Sequence, residues 1–171
     1  MRREQRKLTR SFQDAWHGHG FTLIELVVTV AIVGILALAA MPIMETAHKR
    51  QKEVELRAAL RTLRSGIDAW HQAVEDGKIL RKTGESGYPH RLEDLENGVE
   101  NVLDANRGKI VFLRRIPRDP FNLLPDQPAA QSWGKRSYGS PPDAPLEGPD
   151  IFDVYSLSTD VGLNGIPYKE W

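Results

Sequence analysis

The 171-residue chain carries 23 basic and 23 acidic side chains, five histidines and no cysteine. That length holds one modest folded domain beside a short accessory segment, zero formal net charge gives no global attraction for nucleic acid, and the lack of thiols excludes disulfides and thiol chemistry. The histidines fall outside any ligand spacing such as HExxH, and no P-loop, nucleophile elbow or paired-carboxylate pattern marks an enzyme.

The charge is unevenly placed. Arg2, Arg3, Arg6, Lys7 and Arg10 precede Phe21 against only Glu4 and Asp14, which leaves residues 21–171 with 18 basic and 21 acidic side chains. From Phe21 to Met41 the single charge is Glu25. As a helix this stretch is about 32 Å long, which matches a hydrocarbon core of roughly 30 Å. The basic leader places the N-terminus in the cytoplasm and the rest outside, although Lys49, Arg50 and Lys52 reduce the contrast.

Three readings compete for this segment. A secretory signal would use a small-residue cut such as Ala37-Leu38-Ala39, but its apolar run is usually shorter and free of acids. A plain anchor helix would use Glu25 only at its start, since Thr22-Leu-Ile-Glu25 fits a capping box. The third reading is a resemblance: Gly20-Phe21-Thr22-Leu23-Ile24-Glu25, after a short basic leader and before an apolar helix, resembles the class III signal of type IV pilins and type II secretion pseudopilins. The resemblance implies that a membrane-embedded prepilin peptidase and methyltransferase cuts after Gly20, removes residues 1–20, and methylates the new N-terminal Phe21.

Glu25 has a physical place in that reading. A charge at mid-helix costs about 2.5–3.5 kcal/mol on insertion scales, and less near the end, so a partner is expected. Cleavage frees an ammonium on Phe21, which can pair with the Glu25 carboxylate of a neighbouring copy and so favour a filament in one register.

Pro42 lies where the helix leaves the apolar run, a position that costs one backbone hydrogen bond and invites a kink. Leu56, Leu60, Leu63, Ile67, Trp70 and Val74 then recur at alternating four- and three-residue steps, which predicts an amphipathic helix over 52–76 ending near Gly77, with Arg57, Arg61, Arg64 and Asp68 largely off the apolar stripe. An independent coiled coil fits the same spacing. Because strand-like sequence follows, the stripe is expected to receive a sheet. Residues 77–87 read as a loop and His90–Asn97 as a short helix stopped by Gly98. Ile110–Ile116 has extended character, 122–132 is a loop, and 133–140 and 151–158 alternate like strands. The fold class is α+β, a long N-terminal helix packed against a small antiparallel sheet of two or three strands. Its expected parts are a leader at 1–20, a transmembrane and filament-core helix at 21–42, an amphipathic stalk helix at 43–77 and a periplasmic globular domain at 78–171.

The resemblance continues through this domain. Tyr88-Pro89, Leu92, Leu95, Arg115-Ile-Pro117-Arg-Asp119-Pro120-Phe121, Asp153-Val-Tyr155-Ser156-Leu157 and Trp171 follow in the order of the major pseudopilin of type II secretion. It implies a non-enzymatic subunit of a periplasmic filament, anchored in the bacterial inner membrane by one pass. Its partners would be copies of itself, other pseudopilins, the prepilin peptidase and an inner-membrane assembly platform. It also implies a calcium loop, but here 158–168 holds one acid. Asp160 and Asn164 are weak candidate ligands, calcium usually takes six to eight oxygens, and a Gly/Asn turn held by Pro167 and Tyr168 needs no ion. The expectation is no cofactor. The alternative is a minor pilin in adhesion or DNA uptake, with Arg107, Lys109, Arg114, Arg115, Arg118, Lys135 and Arg136 as a phosphate-binding strip. The bland view of that strip is a surface facing the next copy, whose Glu93, Asp94, Glu96, Glu100 and Asp104 would complement it.

Overall fold

The computed structural model describes residues 21–171, and the chain divides into two units, Met1–Ile43 and Met44–Trp171. The expected leader, with Gly20, lies outside the described residues. The architecture is α+β, with the long helix α1 (Leu23–Glu75) first and two small antiparallel sheets after it.

In the first unit α1 opens on Thr22, whose Oγ1 accepts the Glu25 N–H at 3.2 Å while its carbonyl accepts the Leu26 N–H at 3.1 Å. This is the backbone half of the capping box, and it satisfies two of the donors that a helix start leaves orphaned. The apolar side chains from Phe21 to Leu38 are all exposed, Phe21 by 80%. Among the described residues no helix is long and apolar enough to cross a membrane. The expected span continues into 39–43, whose side chains lie outside the description. α1 is unbroken at Pro42. A proline inside a helix removes only its own donor, and the neighbouring turns carry the ladder past it.

The second unit holds the core. Leu56, Leu60, Leu63, Ile67, Trp70 and Val74 are all buried, as their spacing predicts. Opposite them pack Leu92 and Leu95 from α2 (Glu93–Asn97) and its approach, Leu113 and Ile116, Trp133, Val154 and Tyr168. Burying side chains of this size contributes about 1.5–3 kcal/mol each, so the stripe is the main reason this half of α1 holds its neighbours. Gly66 belongs to that fit, because a Cβ there would lie 3.0 Å from Leu113 Cγ. The helix ends in a Schellman turn. Gly77 (φ 73°) donates to the Val74 carbonyl and Lys78 to that of Ala73, so the glycine supplies the left-handed residue that the turn requires.

Strand β1 (Val99–Glu100) pairs antiparallel with β2 (Lys109–Ile110), and β3 (Trp133–Arg136) pairs with β4 (Asp153–Ser156), Gly134 lying opposite Tyr155. The sheet is thus two separate ribbons rather than one of two or three strands. Of the extended stretch 110–116 only Ile110 joins a strand. The Phe112 and Leu113 N–H groups donate to the Leu95 carbonyl at the end of α2, and the Ile116 N–H donates to the Glu96 carboxylate at 3.2 Å. Those bonds to the helix end leave the segment without a ladder partner. β3 stops at Arg136 because Ser137 N–H turns to the Leu146 carbonyl of the proline-rich loop.

Candidate assembly and processing site

Phe21 lies two residues before α1 begins, and Glu25 lies in its first turn. Phe21 is free of the helix ladder, and Glu25 sits at the third helical position with its N–H capped by Thr22. The Glu25 side chain is exposed and makes no hydrogen bond or ion pair among the described residues. The reciprocal half of the capping box, carboxylate to Thr22 N–H, is not formed. An acid that does not serve its own helix start is available to a group from outside. What the site offers chemically is one carboxylate amid exposed Leu23, Ile24, Leu26, Val27 and Val28.

The second candidate region is the loop after β4. Val161 bridges to Pro167, Gly162 donates to the Ile166 carbonyl, and Gly165 (φ 80°) donates back to Gly162. Asn164 Oδ1 accepts the Ile166 N–H at 3.1 Å, and the Asp160 carbonyl accepts the Tyr168 N–H at 3.1 Å. Both side chains are exposed. Among the described residues no cluster of three or more His, Asp or Glu could hold a metal. Of the six to eight oxygens that calcium usually takes, the two candidate side chains offer one carboxylate and one amide already used within the loop.

Three anchors that the spacing argument did not assign hold this region. Glu53 is 4% exposed and its Oε1 accepts the Leu163 N–H at 2.6 Å and the Tyr168 O–H at 3.0 Å. Burial, with the hydrogen bond to the Glu53 carboxylate second, raises the Tyr168 pKa well above the ordinary phenol value. Arg64 reaches the Asp153 carboxylate at 2.8 Å, the Trp171 main-chain oxygen at 2.8 Å and the Val154 carbonyl at 3.3 Å. The Arg57 guanidinium lies 4.2 Å from the centre of the Trp171 ring. Arg57 and Arg64 are off the apolar stripe, as their positions predict, but they dock the end of the chain instead of facing only water. The signal for Glu53 was its place three residues before Leu56, at the edge of the stripe, where a buried acid needs donors.

Asp119 is a further anchor and, like Glu53, is buried, 1% exposed. It accepts the Ser156 O–H at 2.6 Å and the Phe121 N–H at 2.8 Å, while its own N–H donates to Ser132 Oγ at 3.1 Å. The motif Arg115–Phe121 is thereby tied to β4.

The charged strips are partly engaged within the chain. Arg118 donates to the carbonyls of Leu124, Pro125 and Gln127, Arg107 pairs with Glu100 at 3.2 Å, and Arg136 with Asp153 at 3.5 Å. On the acidic side Asp94 pairs with Arg91, Glu96 holds the Ile116 N–H, and Asp104 takes the N–H groups of Asn106 and Gly108. Lys109, Arg114, Arg115 and Lys135 make no ion pair among the described residues, so the strip that remains for an external partner is shorter than the sequence suggests.

Comparison with known proteins bears on the head of α1 and on the domain alike. The prokaryotic N-terminal methylation motif matches residues 18–41, which include Gly20, Phe21 and Glu25. The chain is 28% identical over 145 residues to type II secretion system core protein G of Pseudomonas aeruginosa, covering 82% of this chain and 83% of that protein. It is 29% identical over 107 residues to type II secretion system core protein G of Escherichia coli K12, covering 60% of this chain and 66% of that protein. No solved structure matches the chain. The chain is thus similar to a secretion core protein along most of its length and carries the methylation motif at the residues where α1 begins.

Proposed function

We propose that the chain is a structural, non-enzymatic subunit of the pseudopilus of a type II secretion system, of the major pseudopilin kind, processed after Gly20 and methylated on Phe21. Similarity to two core proteins G, together with the motif over 18–41, carries this reading. Residues 1–20 are the leader and 21–42 the membrane and filament-core segment. Residues 43–77 form the stalk helix, and 78–171 lie in the periplasm with it. The subunit stands in the inner membrane with its N-terminus in the cytoplasm until it joins copies of itself and other pseudopilins on the assembly platform.

Assembly relieves two costs. The exposed apolar face from Phe21 to Leu38 passes from lipid to packed helices, and the Glu25 carboxylate gains the ammonium of an adjoining Phe21. At 4 Å and an effective dielectric of about 20 such a pair is worth about 4 kcal/mol, enough to offset the cost of holding the acid in an apolar setting. Mass spectrometry of the mature chain tests the premise: a start at Phe21 with one added methyl group is expected, and an intact Met1 or a start near Ala40 refutes it. Glu25→Ala is expected to be processed but to yield few or no copy-to-copy cross-links, and cross-linking equal to wild type refutes the pairing. Loss of the gene is expected to strand secreted proteins in the periplasm, whereas loss of DNA uptake with secretion intact would favour a pilus subunit.

A further inference from the structure

We infer that the loop 158–168 is closed onto α1 by a protein carboxylate, Glu53, and that this chain holds its folded form independently of calcium, contrary to what its resemblance implies.

A divalent cation closes a loop by gathering oxygens around itself. Here the groups turned inward from the loop are donors. The Leu163 N–H and the Tyr168 O–H, near the two ends of the Gly162–Pro167 turn, converge on Glu53 Oε1 at 2.6 and 3.0 Å. Converging hydrogens suit an anion and repel a cation. The oxygens that a cation would need point elsewhere: Asp160 and Asn164 are exposed, and Asn164 Oδ1 holds the Ile166 N–H. No buried side-chain oxygen or nitrogen among the described residues lacks a partner, so no set of orphaned ligands awaits an ion. The far side of the turn is tightly packed, because a Cβ on Gly162 would lie 2.5 Å from the Trp171 ring and 2.6 Å from Asn164 Oδ1. The closing charge comes from α1, 110 residues before Leu163, which also explains why an acid is tolerated 96% buried beside the apolar stripe.

The full chain in detergent tests this. Its melting midpoint in EGTA and in millimolar calcium chloride is expected to agree within about 1 °C, since a ligand that does not bind the native state cannot raise it. Asp160→Ala is expected to melt with wild type. In EGTA the Leu163 amide is expected to be protected from hydrogen exchange, and Glu53→Ala to speed its exchange by about tenfold or more. Should Glu53→Ala not fold, Glu53→Gln keeps the shape with a weaker acceptor, and a Leu163 amide exchanging faster than wild type carries the same meaning. A wild-type midpoint that climbs by more than about 5 °C with calcium, or a Leu163 amide unprotected in EGTA, overturns the inference. Neither result touches the mature N-terminus, so the proposed function stands or falls separately.

Discussion

Replacing Asp119 by alanine removes the acceptor that joins the Arg115–Phe121 segment to β4. In the wild type its two carboxylate oxygens hold the Ser156 O–H at 2.6 Å and the Phe121 N–H at 2.8 Å, and both Asp119 and Ser156 are buried from water. The variant leaves the Ser156 O–H unpaired in a buried site and the Phe121 N–H unpaired in a half-buried one. A buried donor without a partner costs about 1–3 kcal/mol, and the hydrogen bonds lost are to a charged group, so the pair together should cost about 3 kcal/mol. The second unit carries the whole buried core within its own span, which allows Met44–Trp171 to be melted as a separate domain. For a domain of that size about 3 kcal/mol lowers the melting midpoint by roughly 10 °C. Asp119→Asn serves as the control: its amide oxygen keeps the Phe121 bond, its amide nitrogen can donate to Ser156, and it should lose about 1 kcal/mol. Circular dichroism melts of the three proteins decide the matter. If Asp119→Ala fell within about 0.5 kcal/mol of wild type, the idea that this carboxylate ties the motif to the sheet would be wrong.

Two further outcomes follow from the docking of the chain end. Arg64→Ala should cost about 1 kcal/mol, a modest figure because the ion pair with Asp153 is partly exposed and screened; trimming of Trp171 by a carboxypeptidase should speed up markedly, and an unchanged rate would show that the contact between Arg64 and Trp171 does not restrain the end. Tyr168 holds its proton in the folded state because burial and the Glu53 carboxylate raise its pKa above the unfolded value. The stability this confers is fully present below about pH 10, the unfolded phenol value, and declines as pH rises above it toward the folded pKa. Urea midpoints from pH 9 to 11.5 should therefore fall more steeply for wild type than for Tyr168→Phe, and parallel curves would remove Tyr168 as the cause.

The apolar run, its acid and the stripe at three- and four-residue steps were legible in the sequence because each is a local pattern. Hydrophobic periodicity predicts which helix face is buried, and Leu56, Leu60, Leu63, Ile67, Trp70 and Val74 are each buried; the string Gly20–Glu25 is contiguous, so the motif over 18–41 needs no fold to be seen. Strand extents were less legible. Ile110–Ile116 has strand composition, yet the Leu95 carbonyl and the Glu96 carboxylate take the N–H groups of Phe112, Leu113 and Ile116, a competition set by residues 17 to 20 positions earlier. The complementary charge strips read from the sequence also shrank, because charges such as Glu100 and Arg107 found each other within the chain.

By itself the sequence determined where the helix turns its apolar face, where the N-terminal methylation motif lies and which family this chain resembles, since those depend on residues close together along the chain. Only the tertiary structure decided that Glu53 meets Leu163 and Tyr168, that Asp119 meets Ser156, and that Arg64 reaches Trp171, across separations of 37 to 115 residues. A buried charge is tolerated only beside its donors. No periodicity reveals donors that folding alone brings to it.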